Sequence, residues 1–116
     1  MEIGKVMSRA LVGVSPRTPA SEAEAVAVAR GVDHLLVLDC GDLVGVTSLT
    51  ALHQAGMRAT VSDCMWSTVP TISASASVDE AVRIMRVSEV TCLPVVAGGL
   101  ILGMITRAQL HGSPVG

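Results

Sequence analysis

The sequence repeats itself. Set against a copy displaced by half its length of 116 residues, it aligns without a gap. Met7 then falls on Met65, Ser15 on Ser73, and Glu22-Ala23 on Glu80-Ala81. Val32, Leu35 and Val37 fall on Val90, Leu93 and Val95, while Gly41 and Gly45 fall on Gly99 and Gly103 and Leu52-His53 on Leu110-His111. The identities sit at turns and apolar positions, which punctuate a fold and fill its core. Two units, 1–58 and 59–116, are expected to share one architecture. A unit of half the chain's length buries too little surface to be secure alone, so the duplication is expected to let two apolar sheet faces cover each other.

Each unit reads as strand, helix, strand, strand, helix. In the second, Ser77-Val78-Asp79-Glu80 has the form of a capping box, and Val78, Ala81, Val82, Ile84 and Met85 follow as an apolar helical stripe. Its counterpart is the Ala-rich stretch from Ser21 to Arg30. Two β-branched runs come next, Cys92–Val96 and Leu100–Ile105, separated by the turn signal Ala97-Gly98-Gly99, as Asp39-Cys40-Gly41-Asp42 separates their equivalents. Thr106 caps a last short helix running through Leu110, and Ser48 caps one through His53. Short extended pieces, Leu11–Val14 and Val69–Ile72, open the pattern. This is a mixed α+β chain of two β-α-β-β-α units, expected to pack sheet to sheet with pseudo-two-fold symmetry.

Composition excludes several classes of function. Half the residues are hydrophobic, which argues against disorder. A net charge of −2 with no run of Lys or Arg disfavours nucleic-acid binding. No apolar stretch approaches the roughly 20 residues of a membrane span, and the start of the chain lacks the regions of a signal peptide. Three scattered cysteines, Cys40, Cys64 and Cys92, fit a reducing cytoplasm and small buried thiols better than disulfides or a metal site. No nucleophile, base and orienting group fall together. Asp33 and His34 are sequence neighbours on an expected strand, so their side chains point to opposite faces and form no dyad. No enzymatic activity and no metal are expected.

The chain resembles a tandem pair of CBS domains. The resemblance rests on Asp63-Cys64-Met65, Thr68-Val69-Pro70-Thr71-Ile72, Ser77-Val78-Asp79-Glu80-Ala81, Leu93-Pro94-Val95-Val96 and Gly103-Met104-Ile105-Thr106. The first unit carries it more loosely, through Val6-Met7-Ser8, Val14-Ser15-Pro16, Leu35-Leu36-Val37-Leu38-Asp39 and Gly45-Val46-Thr47-Ser48. Such pairs form clefts that often take adenosine compounds (AMP, ADP, ATP or S-adenosylmethionine), and two pairs commonly associate into a disc-shaped dimer.

By this resemblance one cleft is lined by Met65, Thr68, Pro70, Val90 and Thr91 with Ser48 opposite. The other uses Met7, Ala10, Val12, Val32 and Asp33 with Thr106 opposite, and His34 stands where related modules place a phosphate-contacting basic residue. A hydroxyl at a helix start, beside unpaired amides, suits a phosphate or ribose oxygen; it also serves simply as a cap. Nucleotide-binding members carry an Asp three residues beyond that hydroxyl. Here the matching residues are Ala51 and Gln109, of which only Gln109 can hydrogen-bond a ribose. With no Phe or Tyr, an adenine here lies between aliphatic walls such as Val90, Pro70 and Val12.

The expected function is that of a regulatory module in the cytoplasm, which binds an adenosine ligand and signals through the geometry of a homodimer to an effector protein. It requires no cofactor and contacts neither nucleic acid nor membrane. The alternative is a structural homodimerisation module that binds no ligand.

Overall fold

The computed structural model describes residues 1–112. Its chain order is β1 (Gly13–Val14), α1 (Ala20–Arg30), β2 (His34–Asp39), β3 (Asp42–Ser48), α2 (Leu49–Gln54) and β4 (Met65–Trp66), then β5 (Ile72–Ser73), α3 (Val78–Ser88), β6 (Cys92–Ala97), β7 (Leu100–Thr106) and α4 (Arg107–Gly112). Short 3₁₀ turns, Ile3–Lys5 and Val61–Asp63, precede the positions of Met7 and Met65. The expected β-α-β-β-α order is present twice. The opening strands are shorter than the sequence suggests, and β4 is an element the periodicity does not reveal.

Two compact units result, Leu11–Thr68 and Val69–Gly116 together with Met1–Ala10. They are out of phase with the sequence repeat by about ten residues. The reason is visible in equivalent backbone bonds. In the first unit Val61 N donates to Thr18 O at 2.8 Å and Ser62 N to Pro16 O at 3.0 Å. In the other, Ile3 N donates to Ala76 O and Gly4 N to Ala74 O, both at 2.9 Å. Donor for donor and acceptor for acceptor, these residues are equivalents in the repeat alignment. Residues 1–10 thus do for one unit what 59–68 do for the other. Ile3 and Val61, one in each strap, are both 0% exposed.

Within the Leu11–Thr68 unit the sheet order is β1-β2-β3-β4, with β1 parallel to β2 and the other pairs antiparallel. α1 turns its small side chains, Ala20, Ala23 and Ala27, onto Leu35, Val37, Leu52 and Val61. In the second unit the order is β5-β6-β7, and Ala81 and Met85 are the buried residues of α3. Both hairpins carry an irregularity at the same place, Val37/Leu38 and Val95/Val96. Both turn through two left-handed residues, Cys40-Gly41 and Gly98-Gly99, as two-residue connections between twisted strands require. Cys40 holds φ +52° without being glycine.

The caps differ from the expected pattern in detail. Ser77 Oγ accepts from Glu80 N, the forward half of the expected box, while α1 begins at Ala20 behind Pro19 with no side-chain cap. Complete reciprocal boxes stand at Thr60–Asp63 and Thr106–Gln109.

Candidate functional site

In each unit the hairpin strands separate at the start of a short helix, and that end collects most of the expected site residues. In the Leu11–Thr68 unit His34 pairs with Ser48 across β2 and β3, and Leu49 N donates to Asp33 O at 2.8 Å. Ser48 Oγ accepts from Ala51 N at 3.0 Å, so the hydroxyl does cap α2. Val12 lies alongside, its carbonyl accepting from Leu36 N at 2.9 Å, and Val32 and Met65 pack on the same core. Met65 also pairs with Thr47 from β4. Val12, Val32, Asp33, His34, Ser48 and Met65 therefore belong to one unit.

Electrostatics at this end are set by burial. Loss of water around the His34 imidazole lowers its pKa from the ordinary 6.5, and the Asp33 carboxylate, which raises it, only partly compensates. The ring is therefore held toward its neutral form, which is a weaker phosphate ligand than a charged one.

The Val69–Gly116 unit repeats the arrangement. Cys92 pairs with Thr106 across β6 and β7, and Arg107 N donates to Thr91 O at 2.8 Å, the equivalent of Leu49 to Asp33. Thr106 and Gln109 then close on each other. Thr106 N and Oγ1 donate to Gln109 Oε1 at 2.8 and 3.1 Å, and Gln109 N donates to Thr106 Oγ1 at 3.2 Å. Gln109 Nε2 donates to Val6 O at 3.3 Å, tying down the N-terminal strap.

This engagement changes the standing of Gln109. The expectation from sequence is a side chain able to hydrogen-bond a ribose; in the fold its carboxamide oxygen and one of its N–H groups also hold the cap and the strap. The other unit solves the same problem differently. Cys64 O, equivalent to Val6 O, accepts from the hydroxyl of the fully buried Thr47 at 2.8 Å. Thr47 aligns with Ile105 and Ala51 with Gln109, so each unit supplies one polar residue for this carbonyl, at a different position.

Met7 and Met65 occupy equivalent niches made by glycines. A Cβ at Gly103 would lie 2.5 Å from Ser8 O and 2.7 Å from Met7 Sδ, and one at Gly45 would lie 2.5 Å from Trp66 O and 2.9 Å from Met65 Sδ. The half-buried Trp66 is a strand residue paired with Val46. Ala10 and Thr68 are exposed and Pro70 half-buried, all three outside regular secondary structure.

A cavity of about 410 Å³ lies between α3 and α4 in the Val69–Gly116 unit. Of the expected residues it includes Val90 and Thr91. It also recruits Arg86, Glu89 and Arg107 around a floor of Val82, Met85 and Leu110. From sequence Arg86 reads as the polar face of a helix, and Glu89 carries no motif. The signal was the repeat itself, which sets Glu89 on Gly31. Both are left-handed helix ends, at φ +56° and +67°, and a glutamate at such a position is unusual. Among the described residues no group of three or more His, Cys, Asp or Glu could hold a metal ion, and no helix is long and apolar enough to cross a membrane.

Comparison with known proteins bears on this arrangement. The chain is 29% identical over 106 residues to an inosine-5′-monophosphate dehydrogenase of Thermoplasma acidophilum, covering 90% of this chain but only 22% of that protein. The CBS domain pair of protein MJ0100, solved with 5′-methylthioadenosine and S-adenosyl-L-methionine, superposes with a TM-score of 0.85 at 20% identity, covering 97% of this chain and 94% of that one. The cytosolic domain of the Mg²⁺ channel MgtE, solved with ATP, gives 0.76 at 26% identity, covering 97% of this chain and 48% of that one. The family model for the CBS domain matches twice, over residues 3–57 and 61–112. The two repeats are two CBS domains, and the chain belongs to that family as a tandem pair.

Proposed function

We propose that the chain is a non-catalytic regulatory module of the cytoplasm that binds an adenosine-containing ligand and passes the event to an effector protein through the geometry of a homodimer. The observation that carries the reading is the likeness of nearly the whole chain to two modules solved with adenosine compounds. Supporting it are the hydroxyls of Ser48 and Thr106 at equivalent helix starts, each beside a loop carbonyl, Asp33 O and Thr91 O, that anchors the next backbone amide. Aliphatic residues, among them Val12 and Val90, supply the apolar surface an adenine needs where rings are missing. Ligand coupling can be no larger than the ligand's preference for one geometry over another.

Calorimetric titration with AMP, ADP, ATP and S-adenosylmethionine tests the reading. A bound ligand at 100 times its Kd raises stability by about 2.7 kcal/mol. No heat and no melting shift at millimolar ligand would overturn it.

A second reading is favoured by Ala51 and by the engaged carboxamide of Gln109: a homodimerisation module that takes no ligand. It predicts a tight dimer by light scattering whose mass and melting temperature ignore every nucleotide.

A further inference from the structure

The charges around the α3–α4 cavity belong to one repeat alone. Arg86, Glu89 and Arg107 line it together with Val82, Met85 and Leu110. The three charged residues are exposed and Met85 is buried, so the cavity has a charged mouth and an apolar floor. One repeat earlier the equivalents of Arg86, Glu89 and Arg107 are Val28, Gly31 and Leu49, so the same helices are built there with none of these charges. Among the described residues neither arginine nor Glu89 takes part in an ion pair. Glu89 also holds a left-handed conformation, φ +56°, at a helix end where glycine is the favoured residue. Three side chains that the fold does not use for its own pairing thus meet at the mouth of an apolar hollow.

We propose that this cavity binds a free α-amino acid with a large apolar side chain, its carboxylate on Arg86 and Arg107, its ammonium on Glu89 and its side chain over Val82, Met85 and Leu110. The volume of about 410 Å³ falls in the lower part of the range of small-molecule sites, about 300–1,000 Å³. The charges choose among ligands. A carboxylate offers two oxygens, one to each guanidinium, in charge-assisted hydrogen bonds. A polyphosphate meets Glu89 as a like charge, and a plain aliphatic acid leaves Glu89 beside its own carboxylate. An aliphatic amine satisfies Glu89 but is repelled by both arginines. A zwitterion with an apolar body answers all three charges and the floor together. Of the residues expected for adenosine the cavity shares Val90 and Thr91, but neither Thr106 nor Gln109 lines it, and the proposal does not rest on the adenosine reading.

The test is calorimetric titration of the full chain with L-leucine and L-methionine, alongside 4-methylpentanoate, which lacks the ammonium of leucine, and 3-methylbutylamine, which lacks its carboxylate. At least one of the amino acids is expected to bind with a Kd below about 1 mM, and each truncated analogue about tenfold or more weaker, the usual effect of losing a charge-assisted hydrogen bond. Glu89→Gln and Arg107→Gln are expected to weaken the amino acid about tenfold or more. Arg83→Gln, on the same helix but outside the cavity, is expected to leave its affinity unchanged. Circular dichroism melts verify that each variant is folded, and the analogue series tests the proposal without any variant. No heat and no melting shift with either amino acid at about 10 mM overturns the proposal. So does 4-methylpentanoate binding as tightly as leucine, or an affinity indifferent to Glu89→Gln. Heat from AMP without heat from an amino acid overturns this site and leaves the adenosine reading standing.

Discussion

Replacing Gly103 with alanine tests whether the first ten residues belong to the Val69–Gly116 unit. An added Cβ meets Ser8 O at 2.5 Å and Met7 Sδ at 2.7 Å. The methionine can swing aside, but the carbonyl is backbone and is fixed by two bonds, Ser8 N to Met104 O at 2.9 Å and Met104 N to Ser8 O at 2.8 Å. Relief requires the strap to lift, which forfeits both bonds at about 0.5–1.5 kcal/mol each. If lifting also draws Ile3 from its fully buried site, about 1.5–3 kcal/mol more is lost. With both losses the expected destabilisation is about 2.5–6 kcal/mol. With a urea m-value of roughly 1.5 kcal/mol/M, the unfolding midpoint falls by more than about 1 M. Gly56→Ala, where nothing lies within 4 Å, serves as the control and is expected to be neutral. Hydrogen exchange adds position: amides of residues 3, 4 and 8 should lose protection first in Gly103→Ala. A midpoint equal to wild type, with those amides still protected, refutes the assignment of the strap.

Thr47→Val removes the donor to Cys64 O from a fully buried position and is expected to cost about 1–2 kcal/mol in urea unfolding. Gln109→Asp restores the family's carboxylate beside Thr106 while releasing Val6 O; calorimetry should show AMP affinity rising about tenfold, and unfolding a loss of about 1 kcal/mol. The His34 imidazole is neutral-biased by burial, so the unfolded chain takes up the proton more readily. Its contribution to stability is full above pH 6.5 and is lost as pH falls below 6.5 toward the lowered folded pKa, a slope that His34→Gln should flatten. Burial pushes the Cys92 thiol up to about 12 and raises Cys64 as well, whereas Cys40 is exposed at a turn. Iodoacetamide at pH 8 should therefore modify Cys40 first, and Cys92 only after denaturant is added; early labelling of Cys92 would contradict the packing.

The elements that depend on local pattern were legible in the sequence. The hairpins announced themselves through β-branched runs and turn residues, and the short helices through Ser48 and Thr106. The strap was not, because a two-residue strand such as Met65–Trp66 has no period to read and exists only through its partner, Val46-Thr47. The alignment gives the length of a repeat, and the family model follows its two halves, 3–57 and 61–112, whereas the point at which a compact unit closes depends on the strap. Among site residues, Asp33, His34 and Ser48 stand together at one end of the β2–β3 hairpin, although the resemblance assigns Ser48 to one cleft and Asp33 and His34 to the other. Gln109 could not be judged from its type alone, since its role depends on a carbonyl 103 residues away. Arg86 looked like solvated charge until α4 brought Arg107 beside the same cavity.

The ten-residue displacement between repeat and unit has a consequence for how such a chain could have originated. Each repeat begins with a strap that closes the other repeat's sheet. A chain half as long and built this way would have no second sheet for its strap to close. Two molecules exchanging straps would have made the first complete pair, an obligate swapped dimer. Joining two copies in one chain turns an association that depends on concentration into one that a single molecule carries with it.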